Sequence, residues 1–398
     1  MTTDLLITNV RPQGGATTTI EVRAGRIAAI GGPVPAGIAT LDAGGRLAIP
    51  GLVEAHAHLD KTLWGMAWYP NNVGPRLIDK IDNERNSKRT LDINAKRQSA
   101  RQVALTVGHG TTHIRTHVDV DTDCGISSIE GVMATRDAHA DHVDMQIVAF
   151  PQSGLLIRPG TLELLDAAMR LGADSVGGLD PCAIDRDPKG HLDAIFGLAQ
   201  RYGKGVDIHL HEMGEMGAFS MELIIERARA LGMRGQSVVI SHAFCLGMAD
   251  TPAVDRLLAD LADAEVAIMT TGTPSRPVPP LVRARAAGVV VGAGSDGIRD
   301  TWGPYGNADI LERAMFLGMR NNLRKDTEVE EALDVCTYGG AAMMGVSDYG
   351  LAVGKPADMV LLPGYGPTEA VVSRPRDRIV LKRGVVTARD GAALFQVA

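Results

Sequence analysis

Cysteine is scarce in this sequence, and the cysteines that occur lie far apart. Among the 398 residues there are four cysteines, and no two of them form a CxxC pair. Zinc knuckles and dithiol redox motifs need cysteines at that close spacing. Both are therefore excluded, and we expect free thiols in a reducing compartment at Cys124, Cys182, Cys245 and Cys336.

Dense basic clusters and long apolar runs are also missing. The formal net charge is −7, and lysine and arginine nowhere cluster closely enough to neutralise a nucleic-acid backbone. No apolar run approaches the roughly 18 residues that cross a membrane. The N-terminal segment MTTDLLITNV has an aspartate where a signal peptide carries basic residues. We therefore expect a cytoplasmic protein without a nucleic-acid or membrane partner.

The sequence does contain a regular alternation of short apolar runs and longer segments with helical periodicity. Hydrophobic residues make up 45% of the chain, enough for a sizeable core. From Gly51 onward, eight apolar runs follow one another, mostly at the spacing that right-handed βαβ crossovers consume. The runs are GLVEAH, THIRTHVDV, DMQIVAF, DSVGGL, GVDIHLH, SVVISHA, EVAIMTT and VVVGAGSD. Eight such units predict an α/β fold, a (β/α)8 TIM-type barrel over residues 51–345.

The two ends of the chain have a different pattern. Residues 1–50 and 346–398 alternate apolar and polar residues over short segments that are separated by glycine and proline. This alternation is typical of strands with one exposed face. We expect the two segments to pair as a small β-sandwich beside the barrel.

Histidine and carboxylate residues follow the ends of several predicted strands, at the face where barrel enzymes assemble their sites. His56 and His58 share one side of the first strand, because side chains alternate along a strand. The fifth strand adds His209 and the eighth adds Asp296. Imidazoles with one carboxylate suit Zn²⁺ or Fe(II) and leave a position for water. Each residue alone could be an ordinary strand-end residue, but the agreement among distant segments favours a metal site.

These segments resemble the amidohydrolase superfamily and, within it, the cytosine deaminase group, over nearly the whole chain. The resemblance is carried by VEAHAHLDKT, HIRTHVDV, QIVAFPQSG, DIHLHEMG, VVISHAF, GSDGIRDTWGPYGN and GKPADMVLL. The segments VGGLDP, SHAFC and IRDTW are also similar to the isopropylammelide hydrolases, which act on triazines. The resemblance implies that the metal ligands are His56, His58, His209 and Asp296.

The same resemblance implies one divalent ion, Zn²⁺ or Fe(II), and a set of catalytic residues. In two-metal members a carboxylated lysine follows the fourth strand, whereas this strand ends in GGLDP with Asp180 and no lysine. In the deaminases, a glutamate at the place of Glu212 takes the proton of the water and delivers it to the substrate. Asp296 and His242 would orient the water. Scaffolding roles for Glu212 and His242 are the alternatives.

Four residues are expected to contact the substrate. Gln152 can both donate and accept hydrogen bonds, as the amide-like edge of a pyrimidinone or triazinone requires. Lys61 and Asp180 resemble substrate contacts of the isopropylammelide hydrolases, and Trp302 could pack against a flat ring. Each also has an ordinary interpretation as a loop lysine, helix cap, turn residue or core aromatic. The roles of His117, His211 and Asp300 are left open.

The function that this pattern favours is hydrolytic deamination of a small aminated heterocycle such as cytosine or isocytosine. Gly297 departs from the best-known cytosine deaminases, which have a second aspartate after the metal-binding one, and this puts cytosine in doubt. The alternatives are an isopropylammelide-type N-alkylaminotriazine hydrolase, a creatinine-type deaminase, a cyclic amide hydrolase and a binding protein without catalysis. We expect a homo-oligomer that binds a small heterocyclic substrate.

Overall fold

The structure, a computed structural model, describes residues 4–32 and 37–397. The N-terminal segment forms short strands, several of which alternate buried and more exposed side chains. These strands are β1 (Leu5–Pro12), β2 (Thr18–Arg23), β3 (Arg26–Ile30), β4 (Ala39–Asp42) and β5 (Leu47–Pro50). Residues 1–3, 33–36 and 398 belong to the predicted β-sandwich segments and lie outside the described residues.

Eight parallel strands form the barrel, and each hydrogen-bonds to the next in chain order. They are β6 (Leu52–Ala57), β7 (Thr111–Asp119), β8 (Asp144–Phe150), β9 (Ser175–Leu179), β10 (Gly205–His209), β11 (Val238–Ser241), β12 (Ala267–Thr270) and β13 (Val291–Ala293). Each overlaps one of the apolar runs that predict the barrel. Nearly all their residues are buried, because helices cover the outer face and side chains fill the interior.

The barrel closes where Gly294 passes beside His56. A Cβ on Gly294 would lie 2.5 Å from the His56 carbonyl oxygen, so a larger residue does not fit at this approach. The backbone N–H of Asp296 donates to the same carbonyl oxygen at 2.9 Å, and Ala57 forms a parallel bridge with Asp296. This closure brings the residues after β13 beside the end of β6.

Four of the helices in the described residues begin at a capping side chain. Asn94, Asp187, Asp250 and Asp309 each accept a hydrogen bond from a backbone N–H in the first turn of the helix that follows. No helix among the described residues is long and apolar enough to span a membrane. The helices are α1 (Leu77–Lys88), α2 (Ala95–Gly108), α3 (Ser127–Ala138), α4 (Thr161–Leu171), α5 (Pro188–Tyr202), α6 (Gly214–Ala230), α7 (Thr251–Asp263), α8 (Leu281–Ala286), α9 (Ile310–Arg320), α10 (Asp326–Asp334), α11 (Tyr338–Met343) and α12 (Pro367–Ser373).

The C-terminal strands pair with the N-terminal ones to form the small β-sandwich. These strands are β14 (Met359–Leu362), β15 (Ile379–Lys382), β16 (Val385–Arg389) and β17 (Ala392–Ala393), and β14 is antiparallel to β5. Lys382 is buried at the junction with the barrel, where its Nζ lies 2.7 Å from Asp144 and 2.6 Å from Asp358. The fold is therefore the predicted α/β barrel of TIM type with a β-sandwich built from both ends of the chain.

Candidate active site

Histidines from neighbouring parts of the barrel converge at the carboxyl ends of its strands. His56 lies in β6, His58 follows that strand, and His209 is the last residue of β10. The Nε2 atoms of His58 and His209 are 3.3 Å apart. Asp296 Oδ1 lies 3.2 Å from His58 Nε2 and 3.6 Å from His56 Nε2. The four residues predicted to bind a metal therefore lie close together, and His58 contacts both His209 and Asp296.

His242 joins this group, although it is not among the residues predicted as ligands. Single ligand atoms of His56, His209, His242 and Asp296 all lie within 4.8 Å of one another, and His58 is not part of this group. Within the described part of the chain, neither ring nitrogen of His242 has a hydrogen-bond partner. An unpartnered buried imidazole needs another ligand for its lone pair. His242 thus has the surroundings of a metal ligand as well as those of a residue that orients water.

The charge states of this group suit a divalent cation. Burial lowers the pKa of His58 to about 3, and burial and the neighbouring histidines lower the pKa of His209 and His242 well below the usual value. Burial raises the pKa of Asp296, but its contacts with His56 and His58 outweigh this effect. The pKa lies well below its usual value, so the carboxyl is charged. Neutral imidazoles around one carboxylate are the protonation states that metal binding requires.

Three residues at this end of the barrel have backbone conformations that favour glycine. The φ angles of Asp180, His242 and Asp296 are 36°, 71° and 67°. Such residues cost on the order of 1–3 kcal/mol each and cluster at functional sites. The strained positions coincide with the predicted site, because each lies just after a barrel strand.

Asp180 and His211 form a pair beside the metal group. Asp180 Oδ1 accepts hydrogen bonds from the backbone N–H of His211 at 2.6 Å and of Glu212 at 3.2 Å, and its Oδ2 lies 2.6 Å from His211 Nδ1. Burial lowers the pKa of His211, but the charge of Asp180 raises it above the usual value. The His211 ring stacks on that of His242, with centroids 4.4 Å apart. Asp180 therefore holds the loop after β10 and orients His211.

Glu212, the predicted proton carrier, is buried near this pair but engaged elsewhere. Its Oε1 accepts hydrogen bonds from the backbone N–H of Cys182 at 2.8 Å and of Ala183 at 2.7 Å. Its Oε2 accepts a hydrogen bond from the Ser220 hydroxyl. Burial raises the pKa of Glu212 although these hydrogen bonds lower it. The group of metal-ligating atoms does not include this carboxylate.

The other predicted substrate contacts, Lys61, Gln152 and Trp302, belong to one buried network. The Lys61 ammonium lies 3.2 Å from Asp119 Oδ1 and 3.3 Å from Glu84 Oε2, and it donates to Gln152 Oε1. Trp302 Nε1 donates to Glu84 Oε2. Because lysine only donates, Gln152 turns its carbonyl oxygen to Lys61 and directs its NH₂ group elsewhere.

Helix α1 supplies residues to this network that were not predicted. Lys88 Nζ lies 2.9 Å from Glu84 and also contacts Asp119. A pair of opposite charges at i and i+4 normally marks a solvated helix face. This face of α1 is buried instead, since Ile81 packs with Phe150 and other apolar residues at the ends of β8 and β9. Helix α1 therefore covers the barrel end where the histidines meet.

Asp300 fills the space beside Gly297. A Cβ at position 297 would lie 1.9 Å from Asp300 Oδ2, so a side chain does not fit there. Asp300 Oδ1 accepts hydrogen bonds from the backbone N–H of Trp302 at 2.8 Å and of Gly303 at 3.0 Å. Burial raises the pKa of Asp300 to about 6. A carboxyl group thus occupies the place of the side chain that Gly297 lacks.

His117, whose role the sequence leaves open, lies on the inner side of this group in β7. It is fully buried, its ring centroid is 4.0 Å from that of His56, and its Nε2 is 3.2 Å from Asp207 Oδ1. Burial lowers the pKa of His117 to about 4. His117 is therefore a neutral residue that supports the histidine cluster from the barrel interior.

The chain is similar to known proteins in family, sequence and structure. The amidohydrolase family model matches residues 39–395. The crystal structure of N-isopropylammelide isopropylaminohydrolase from Burkholderia multivorans ATCC 17616 is 49% identical, with 98% of this chain and 100% of that chain covered and a TM-score of 0.95. N-isopropylammelide isopropyl amidohydrolase from Pseudomonas sp. strain ADP is 30% identical over 88% of each chain. The 5-methylcytosine deaminase from Klebsiella pneumoniae is 31% identical over 96% of each chain, with a TM-score of 0.83.

These matches confirm the predicted superfamily and both groups within it, the cytosine deaminase group and the isopropylammelide hydrolases. The family model covers most of the chain, and the relatives match it from the β-sandwich through the barrel. The chain belongs to the amidohydrolase family, whose members are metal-dependent hydrolases, and it is a hydrolase that acts on carbon–nitrogen bonds.

Proposed function

We propose that the protein hydrolyses the bond between a ring carbon of a small nitrogen heterocycle and an exocyclic amine, and that an N-alkylaminotriazine of the isopropylammelide type is its substrate. The observation that carries the proposal is the histidine and aspartate cluster in a chain 49% identical to an isopropylammelide isopropylaminohydrolase. Alkylamine release, an alternative from the sequence, is thus favoured over the deamination of a cytosine-like base.

The residues that would hold one divalent ion, Zn²⁺ or Fe(II), are His56, His58, His209 and Asp296, with His242 beside them. The neutral imidazoles of His58 and His209 and the charged carboxylate of Asp296 fit such an ion. When bound, an ion of this kind makes water available as a nucleophile near neutral pH.

The chain's own groups must move a proton during the reaction. The water oxygen bonds to the ring carbon, the carbon–nitrogen bond breaks, the amine departs with a proton, and the ring keeps the oxygen. Glu212 is the proposed carrier, because its raised pKa brings its protonation closer to neutral pH. His211, with its pKa raised by Asp180, is a second group that can hold the proton beside the cluster.

The substrate would lie between the cluster and the network under α1. Gln152 offers its NH₂ group because Lys61 takes its carbonyl oxygen. Trp302, fixed by Glu84, supplies an aromatic face near this network. Asp180 and Lys61 act in this proposal by orienting His211 and Gln152, since their own polar atoms are engaged with the protein.

A second candidate is the deamination of a cytosine-like pyrimidine. It is favoured by the 31% identity to a 5-methylcytosine deaminase over 96% of the chain. The same cluster and the same proton carriers would serve, and the departing group would be ammonia instead of an alkylamine.

Amine release from the zinc-loaded protein tests both candidates. N-isopropylammelide, cytosine, isocytosine and creatinine are supplied in turn, and isopropylamine and ammonia are measured separately. We expect isopropylamine from the triazine, and a loss of about 100-fold or more in Glu212→Gln at unchanged zinc content. Ammonia from a pyrimidine with no isopropylamine would favour the second candidate, and no amine from any compound would contradict both.

A further inference from the structure

A buried chain of hydrogen bonds leads to His56 through the inside of the barrel. Ser241 Oγ lies 3.0 Å from His56 Nδ1 and donates to Asp207 Oδ1 at 2.7 Å. The other oxygen of Asp207 lies 3.1 Å from Arg115 Nη1. His56, Asp207 and Ser241 are all 0% exposed, so water does not replace these partners. Ser241 stands next to His242 at the end of the sixth predicted strand, but the sequence predicts no site role for Ser241 or Asp207.

The chain of partners determines which nitrogen of His56 carries the proton. A guanidinium only donates, and Asp207, which contacts Arg115 Nη1 and His117 Nε2, is a carboxylate, which can only accept. Ser241 has a single hydroxyl proton, and Asp207 takes it. The hydroxyl can then only accept from His56, so Nδ1 must be the protonated nitrogen. In the neutral ring, the lone pair is left on Nε2.

The lone pair on His56 Nε2 is free and faces the metal group. His56 Nε2 has no hydrogen-bond partner in the described part of the chain, and it lies 3.6 Å from Asp296 Oδ1. A second ion on the Asp207 side is not needed to explain the geometry. His56, His117 and Asp207 lie close together, but Arg115 and Ser241 already engage the two oxygens of Asp207.

We propose that Ser241 and Asp207 are positioning residues for His56, which hold its ring and its Nδ1 proton so that Nε2 is ready to bind the divalent ion. The inference rests on the proposed function, because it assumes that the cluster binds this ion. Without Ser241, the neutral ring can also place its proton on Nε2, and that form has no lone pair on the nitrogen that faces the metal group. Partners of this kind behind a metal ligand are worth about 10–100-fold in metal affinity.

The test compares two serine variants in which a fully buried hydroxyl is lost. Ser241→Ala removes the partner of His56. Ser99→Ala is the matched control, because Ser99 Oγ lies 2.7 Å from Thr135 Oγ1 and 3.1 Å from the Lys96 carbonyl oxygen, in the contact between α2 and α3. The Zn²⁺ affinity of each metal-free protein is measured by competition with a chelator, and thermal unfolding is recorded without metal.

We expect Ser241→Ala to bind Zn²⁺ about 10–100-fold more weakly than the wild type, and Ser99→Ala to bind it with unchanged affinity. Asp207→Asn keeps the shape of the side chain but removes its charge, so it should also weaken Zn²⁺ binding. The Zn²⁺ affinity of Asp207→Asn tests the proposal if Ser241→Ala does not fold.

Two results would overturn the proposal in different ways. Wild-type Zn²⁺ affinity in folded Ser241→Ala, or an equal loss in both serine variants, would contradict the positioning role while the metal site stands. A wild-type protein that takes up no Zn²⁺ would contradict the metal site and the positioning role together. The affinity of the wild type therefore separates the two failures.

Discussion

At the scale of single residues, Asp300 is an unusual carboxyl group, because burial raises its pKa to about 6 from the ordinary value of 3.8. It is 7% exposed and its Oδ1 is held by two backbone N–H groups. A buried carboxyl of this kind gains its proton more readily in the folded protein than in the unfolded chain. Its effect on stability therefore depends on pH.

Asp300→Asn should change the pH dependence of stability in a definite direction. The folded pKa is raised, so the contribution of Asp300 to folding is fully present below the unfolded pKa and is lost as the pH rises through about 6. Relative to the wild type, the metal-free variant should gain up to ~3 kcal/mol between about pH 4 and pH 7, from a shift of about two pKa units. Urea unfolding across this range measures the difference. A difference that does not vary with pH would contradict the prediction.

Asp180→Asn should lower kcat while the metal stays bound. The amide still reaches the loop after β10, but it no longer supplies the charge that raises the pKa of His211. We expect a loss of about 100-fold in kcat, the lower range for a proton-transfer group. Asp187→Asn is the control, because Asp187 caps α5 and asparagine caps helices equally well.

Metal analysis decides how the Asp180→Asn result is interpreted. Unchanged metal content with a reduced kcat supports the role of the Asp180 and His211 pair. Full activity per bound ion, with reduced metal content, would contradict it and would make Asp180 part of the metal site instead.

Single residues could be predicted where a strand determines their direction. The predicted placement of His56, His58 and Asp296 together follows from strand alternation and from barrel closure. The pairing of Asp180 with His211 and the placing of Asp300 beside Gly297 depend on strained turns and loops. Such contacts leave no periodic signal in the sequence, so sequence reasoning left both out.

At the scale of elements, helix α1 ties several candidate substrate contacts together through Glu84. Lys61, Lys88 and Trp302 all contact this carboxylate, which is 2% exposed. Helix α1 lies in the long segment between β6 and α2, whose structure could not be drawn from the sequence. Its charged residues have the spacing of a solvated face, yet Glu84 is buried and Ile81 packs against the end of the barrel.

Glu84→Gln should weaken substrate binding more than it slows the chemical step. The amide holds Lys61 and Trp302 less firmly, so Gln152 and the Trp302 ring lose their fixed orientation. We expect KM to rise about tenfold, which corresponds to a loss of ~1.4 kcal/mol of binding free energy, and kcat to change less. Asp79→Asn is the control, because Asp79 pairs with the exposed Arg76 at the start of the same helix. A tenfold fall of kcat in Glu84→Gln, with KM unchanged, would contradict this role.

The strands themselves were predictable, but their ends were not. The runs GVDIHLH and VVVGAGSD extend to residues 211 and 296, whereas β10 ends at His209 and β13 at Ala293. Apolar periodicity marks the buried core of a strand. Pairing stops earlier, because the chain must leave the barrel where the polar residues begin.

At the scale of the whole molecule, the β-sandwich and the barrel are joined through buried ion pairs. Lys382 is 0% exposed and bridges Asp144 of β8 and Asp358. Arg378, 1% exposed, binds both carboxylate oxygens of Asp309 at 2.8 Å. The sequence predicts that the two ends of the chain meet, but not where they attach, because fully buried lysine and arginine are rare exceptions to the usual burial pattern.

Lys382→Met should therefore destabilise the protein without a direct effect on the active site. The methionine fills much of the lysine's volume but leaves the buried Asp358 without its nearest cation, at a cost of ~3–5 kcal/mol for a broken buried pair. Lys355→Met is the control, because Lys355 is 37% exposed and its carboxylate partner Asp348 is 4.0 Å away, so its loss should cost less than ~0.5 kcal/mol. Urea unfolding midpoints measure the two losses of stability. The kcat of the folded variants should equal that of the wild type, because the junction lies at the amino ends of the strands and the histidines lie at the carboxyl ends. Equal midpoints for the two variants would mean that the Lys382 ion pairs do not contribute to holding the sandwich on the barrel.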